Sequence, residues 1–266
     1  MEHDPLNARL VAREDLNEAT AIFHVAYEDE RPIDFVPGQF VNAGCPATQD
    51  GEASGKSGLV KRPYSIASAP GKSTVELFVR LVEDGALTPK LWALQPGDAL
   101  WMDERILGKF TLASLPESPA PAERDLVLVS TGTGLAPFTS MLELHLDEPV
   151  WRRIVLLNGA RIASDLGYRE RLEQLDAERE DVTYRAVLSR DSEGSGWNGA
   201  RGRVQQLLEA STFEAECGFA LDPASSQVML CGNPAMIDEV LSDLEARGFK
   251  KHSRKDPGQV HFERYW

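Results

Sequence analysis

The sequence predicts two domains of different architecture: an antiparallel β-barrel over residues 1–117 and an α/β domain with a parallel sheet over residues 123–266. Three observations lead there. The first part of the chain holds short β-branched or aromatic runs separated by turn signals, the pattern of a barrel or sandwich. The later part alternates continuous apolar runs with helix-period stretches, the pattern of a parallel sheet covered on both faces. Between them, "LPESPAPAER" (115–124) carries three prolines and no periodicity and reads as a linker.

In the barrel half the expected strands are "ATAIFHVAY" (19–27), "GQFVNAG" (38–44), "RPYSIAS" (62–68), "TVELFVRLV" (74–82) and "DALWMDE" (98–104). "VPG", "APG" and "QPGD" mark turns between them. One helix interrupts at "TPKLWALQ", with Thr88 expected as N-cap and Pro89 as the first helical residue. In the second half the expected strands are "DLVLVS" (125–130), "RIVLLNGA" (153–160), "VTYRAVLSR" (182–190) and "QVMLCG" (227–232). Helices are expected at 166–179 and 235–248. Residues 45–61, rich in Gly, Ser and Ala, read as a flexible surface insertion.

Composition narrows the partners. Lys and Arg number 28 against 42 Asp and Glu, a net charge of −14, which disfavours nucleic acid and anionic membrane as partners. The N-terminus lacks the basic and apolar segments of a signal peptide, and no apolar run reaches membrane-spanning length. Cys45, Cys217 and Cys231 are too few and too scattered for a disulfide scaffold or a four-thiolate cluster, and the five histidines show no ligand spacing. A soluble, reduced, cytoplasmic monomer without metal is expected.

Four motifs sit where chemistry could be done. "STGTGLAPF" (130–138) follows a strand and opens a helix, where free amides and the helix dipole favour a phosphate. Gly132 and Gly134 allow close backbone approach, although Pro137 replaces the third glycine of the usual dinucleotide fingerprint. "RPYSIAS" places Arg62, Tyr64 and Ile66 on one strand face, with Pro63, Ser65 and Ala67 on the other. "CGNPAMIDEV" (231–240) ends a strand at the ligand-binding edge of the sheet. The chain stops at "HFERYW", where bulky aromatics are costly to order unless something flat holds them. "DGEASGKS" (50–57) only imitates a P-loop: Gly51 and Gly55 are separated by three residues, where that motif needs four.

"RPYS", "DGALTPKL", "GTGLAPF", "CGNP" and the aromatic ending, in this order and in these two halves, resemble the ferredoxin–NADP(H) reductase family. The likeness is greatest to bacterial members ending in Tyr-Trp. It implies that the barrel holds FAD and the α/β domain NADP(H). Carried over, Arg62 would grip the FAD pyrophosphate, Tyr64 would stack on the isoalloxazine, and Ser65 would sit near flavin N5. Pro63, Phe78, Val79, Arg80, Leu81, Ala86, Leu87, Thr88 and Thr131 would be further FAD contacts. Tyr265 would lie over the flavin face that nicotinamide must reach, with Trp266 beyond it.

For the dinucleotide, the resemblance implies Thr131, Gly132, Thr133, Gly134, Cys231, Gly232, Asn233 and Pro234, with Arg161, Arg190 and Arg203 around a 2′-phosphate. Arg201 is an alternative to Arg203. Ser65, Cys231, Glu263 and Tyr265 would shape the hydride-transfer contact. Single electrons would then pass to ferredoxin or flavodoxin, docking near Lys250, Lys251, Arg254 and Lys255. Two other readings stay open: a flavin reductase component serving an oxygenase or haem protein, and a non-enzymatic nucleotide-binding subunit.

Overall fold

The computed structural model describes residues 6–47, 58–115, 120–147, 150–192 and 194–264. Strands β1 (Ala8–Asn17), β2 (Thr20–Tyr27), β3 (Phe40–Pro46), β4 (Leu59–Ser65), β5 (Thr74–Arg80) and β6 (Ala99–Met102) form an antiparallel sheet in the order β4-β3-β6-β1-β2-β5. Its two ends meet. Ile66, just past β4, bridges Leu77 of β5, and the Ala67 amide donates to the Glu76 carbonyl at 2.9 Å, so the sheet closes towards a barrel. Register shifts in β1 supply the bends that such curvature needs.

Helix α1 (Thr88–Ala93) plugs this lobe: Leu87 and Leu91 join the barrel core, and Trp92 packs on Phe23 with ring centroids 5.2 Å apart. Thr88 does not cap it. The cap position is Leu87, while the Thr88 hydroxyl accepts from the Val82 amide and donates to the Val82 carbonyl. The hydroxyl has a nearer backbone to serve, and it staples the preceding loop instead. The expected insertion at 45–61 is also shorter than the sequence suggests. Cys45 pairs with Val60 and Pro46 with Leu59, so both ends belong to the β3–β4 hairpin. The P-loop-like stretch 50–57 lies outside the described residues.

The second lobe is a parallel sheet of β7 (Asp125–Thr131), β8 (Arg153–Ala160), β9 (Val182–Leu188), β10 (Ala200–Arg201), β11 (Ser226–Gly232) and β12 (Val260–Arg264), ordered β10-β9-β8-β7-β11-β12. Strand alternation divides its side chains between two layers. Leu126, Leu128, Ile154, Leu156 and Met229 pack with α2 (Ala136–Asp147) and α3 (Arg169–Glu178). Val127, Val129, Val155, Leu157 and Leu230 pack on the other face with α4 (Ala210–Cys217) and α5 (Pro234–Ala246).

The first layer is shared between lobes: Ile22, Ala67, Phe78, Phe110 and Leu115 from the barrel side are buried in it. Polar bonds cross the same seam. The Thr139 hydroxyl donates to the Ala67 carbonyl at 2.9 Å and Tyr168 Oη to Glu76 Oε2 at 2.9 Å. A Cβ at Gly167 would stand 2.6 Å from the Phe78 ring, so only glycine lets this loop seat on the barrel.

Candidate functional site

Register brings the sequence-predicted residues to one place. Cys231 of β11 lies opposite both Ser130 of β7 and Glu263 of β12, and Ser130 lies opposite Asn158 of β8. Paired residues of a parallel sheet share a face, so Glu263 points to the barrel side with Cys231 while Phe262 packs into the opposite layer. Ser65, on the outer face of β4, donates to Glu263 Oε1 across the lobe boundary at 3.4 Å. Ser65 and Cys231 are buried, and Glu263 is half-buried.

Burial pushes the Glu263 carboxyl above its ordinary pKa, partly offset by the Ser65 hydrogen bond. The sign follows by linkage. A group raised on folding favours the native state while protonated, and that contribution fades as pH rises through the folded pKa. Glu263→Gln should therefore melt about a degree or two above the parent at pH 8. The gap should close below the ordinary carboxylate value of 4.5. Thermal melts across that range check it, and a pH-independent gap would contradict the assignment.

The glycine turn is built against the same strand end. Gly132–Leu135 forms a tight helical turn that runs into α2, where Pro137 is the second residue. A Cβ at Gly134 would come 2.4 Å from the Cys231 carbonyl oxygen, and one at Gly232 2.3 Å from Thr131 Oγ1. Gly132, at φ +53°, faces open space. The Asn233 amide donates to Thr131 Oγ1 at 2.9 Å, while its side chain caps α5 through the Ala235 and Met236 amides, with Pro234 in the first turn. Thr131, Gly132, Thr133, Gly134, Cys231, Gly232, Asn233 and Pro234 thus line one cradle of strand ends and amides, which suits a dinucleotide.

Residues expected to meet the flavin behave unequally. Tyr64 and Ile66 pack against the barrel core, and Ser65 and Ala67 face the other lobe. Arg62 and Pro63 are exposed; among the described residues the Arg62 guanidinium reaches only its neighbour's carbonyl, Lys61 O, at 2.8 Å. Phe78, Val79 and Leu87 bury their side chains among protein, which leaves their backbone to offer. Past the Ile66–Leu77 bridge the outer edge of β5, Phe78–Arg80, takes no further strand among the described residues. Leu81 ties back to Ala19, and Ala86 is exposed beside α1. Tyr265 and Trp266 lie outside the described residues.

The cationic residues sort themselves. Arg190 donates its amide to the Arg161 carbonyl at 2.9 Å, and both side chains are exposed where β8 and β9 end. Arg201 is committed to Asp191 at 2.9 Å and to the Trp197 carbonyl, whereas Arg203 makes no ion pair among the described residues. Sequence reasoning missed Asp165. Its Oδ1 receives Asn17 Nδ2 at 3.0 Å, the Thr20 hydroxyl at 3.1 Å and Arg80 Nη1 at 3.2 Å, all from the barrel. Nothing local in "RIASDLGY" announces partners so distant along the chain.

Before β12 runs the basic loop. Lys250 pairs with Asp256, Lys251 stands 4.8 Å over the Phe262 ring, and Arg254 and Lys255 are exposed. The His252 and His261 rings stack at 3.9 Å and pin the loop to the strand. A hollow of about 290 Å³ between Leu208 and α5 contains none of these residues.

Comparison with known proteins agrees with this geometry. Residues 7–106 match the model described as Oxidoreductase FAD-binding domain, and residues 128–241 the one described as Oxidoreductase NAD-binding domain. Ferredoxin–NADP reductase B of Sorangium cellulosum is 36% identical over 100% of this chain and 99% of its own. The flavodoxin/ferredoxin–NADP reductase of Escherichia coli is 33% identical over 88% of this chain and 89% of its own. A ferredoxin NADP+ reductase from Neisseria gonorrhoeae, solved with bound FAD and NADP, superposes with a TM-score of 0.82 at 26% identity, covering 98% of both chains. With two relatives above 30% identity along most of its length, and a barrel and sheet meeting at one row of strand ends, the chain belongs to the ferredoxin–NADP reductase family.

Proposed function

We propose that the protein is a flavoenzyme that transfers hydride between NADP(H) and FAD, and single electrons between FAD and ferredoxin or flavodoxin. One observation carries this reading: Ser65 of the barrel meets Glu263 of the α/β lobe beside Cys231, so the reacting ends of two cofactors would converge there. Bound FAD supplies the redox chemistry, taking electrons as a pair and releasing them singly.

The chain's own residues bind and orient. Arg62 offers a fork for the FAD pyrophosphate, and β5's open backbone edge and Tyr64 hold the ring system. Thr131, Gly132, Gly134 and Asn233 present a backbone cradle to the dinucleotide, and Arg161, Arg190 and Arg203 supply charge for its 2′-phosphate. Buried Cys231 and Ser65 restrict water at the contact, and Glu263 holds a proton more tightly than an ordinary carboxylate. Positioning of this kind is how such a site gains rate. Tyr265 and Trp266 complete the proposed flavin cover.

Arg254 and Lys255, with Lys251, form the proposed docking patch for the carrier on a protein of net charge −14. The purified protein should be yellow and should bleach with NADPH under anaerobic conditions, much more slowly with NADH. Reversing Arg254 and Lys255 to Glu should raise the KM for the carrier by about tenfold and flatten its salt dependence, leaving reduction of a small dye intact. A colourless protein that takes up no FAD would overturn the function; an unaltered carrier KM would overturn the patch alone.

A further inference from the structure

Arg80 belongs to the barrel, yet its side chain leaves it. Nη1 reaches Asp165 Oδ1 at 3.2 Å, on the loop that continues from β8 only four residues after Arg161. Asp165 is nearly buried, held as well by Asn17 and Thr20, so it fixes where the guanidinium stands. Nε and Nη2 of Arg80 make no hydrogen bond among the described residues, and its side chain is 34% exposed. Half the fork is therefore anchored and half is presented. Arg161 feels the result: the charge of Arg80 is the first cause lowering its pKa, ahead of burial and Arg190, with Asp165 acting the other way. Like charges gathered at a lobe boundary repel unless an anion joins them.

We propose that Arg80 is a specificity-determining residue of the nucleotide site, donating from the barrel to the 2′-phosphate held by Arg161 and Arg190, with Asp165 as its positioning residue. The inference rests on the reading that those two arginines serve the 2′-phosphate. The dinucleotide would then be held by both lobes at once, and the preference for NADP(H) over NAD(H) would depend on a residue outside the NAD-binding half. Its backbone remains on the β5 edge, where flavin contact was expected.

The experiment titrates the flavin-loaded protein with 2′-phospho-AMP and with AMP by calorimetry. Arg80→Gln should weaken 2′-phospho-AMP by about tenfold, the size of a lost charge-assisted bond, and leave AMP binding and flavin content unchanged. Arg80→Lys should fall between, having charge without the fork. The KM for NADPH should rise with it, and that for NADH should not. Equal weakening of both probes, no weakening of either, or release of flavin overturns the inference. Arg161→Gln separates the two levels. If it abolishes discrimination while Arg80→Gln does not, only this inference fails; if neither variant affects discrimination, the 2′-phosphate reading fails with it.

Discussion

Arg62→Ala should fold normally and purify almost without flavin, its FAD dissociation constant raised about a hundredfold. Nothing among the described residues spends this side chain: it is exposed, and its one hydrogen bond among them goes to the carbonyl beside it in sequence. The loss therefore falls on the ligand. Two charge-assisted bonds to a pyrophosphate are together worth about 3 kcal/mol, which corresponds to roughly two decades in affinity. Visible absorbance relative to protein absorbance reads occupancy directly, and thermal melting of the flavin-free forms shows whether the barrel is intact. Full occupancy in the variant would remove Arg62 from the binding site.

Gly134→Ala should cut NADPH-driven flavin reduction about a hundredfold while flavin remains bound. The new methyl would meet three backbone atoms at once, the Cys231 oxygen at 2.4 Å, its carbonyl carbon at 2.7 Å and Gly232 Cα at 2.8 Å. None of these can rotate aside, so either the turn or the strand end must move. Cys231 shares a rung with Glu263, and Glu263 meets Ser65, so the displacement reaches the place where the two cofactors must face each other. An error near 1 Å in such a contact is enough for two decades of rate. Gly218→Ala, just past the end of α4 and outside the cradle, is the control: its Cβ would meet open space and would carry only about 1–2 kcal/mol of backbone strain at φ +76°. Stopped-flow reduction of both variants tests the contrast; equal rates would dissolve it.

Much of this was legible in the residues, for identifiable reasons. Continuous apolar runs such as "RIVLLNGA" mark strands covered on both faces, and β8 spans that stretch from Arg153 to Ala160. The site residues of β7 and β11 were legible because they end such runs. β12 was not, because it is five residues long and its half-burial comes from a neighbouring strand and from the other lobe. β10, two residues long, gives no periodicity to read. Thr88 before Pro89 looks like a cap, but a hydroxyl chooses among all nearby backbone, and Val82 won. Spacing left Arg201 and Arg203 as alternatives; Arg201 pairs with Asp191, whereas Arg203 makes no ion pair among the described residues. Asp165 stayed hidden because its donors come from positions 17, 20 and 80.

The Phe78 ring occupies the volume that any side chain at position 167 would claim, and it shares one buried layer with Phe138 and Leu172. A crossover between two homologous genes placed in the proline-rich connector would separate these partners, and the chimera would inherit a knob from one parent and a socket from the other. Shuffling is safe here only when both sides of that seam travel together.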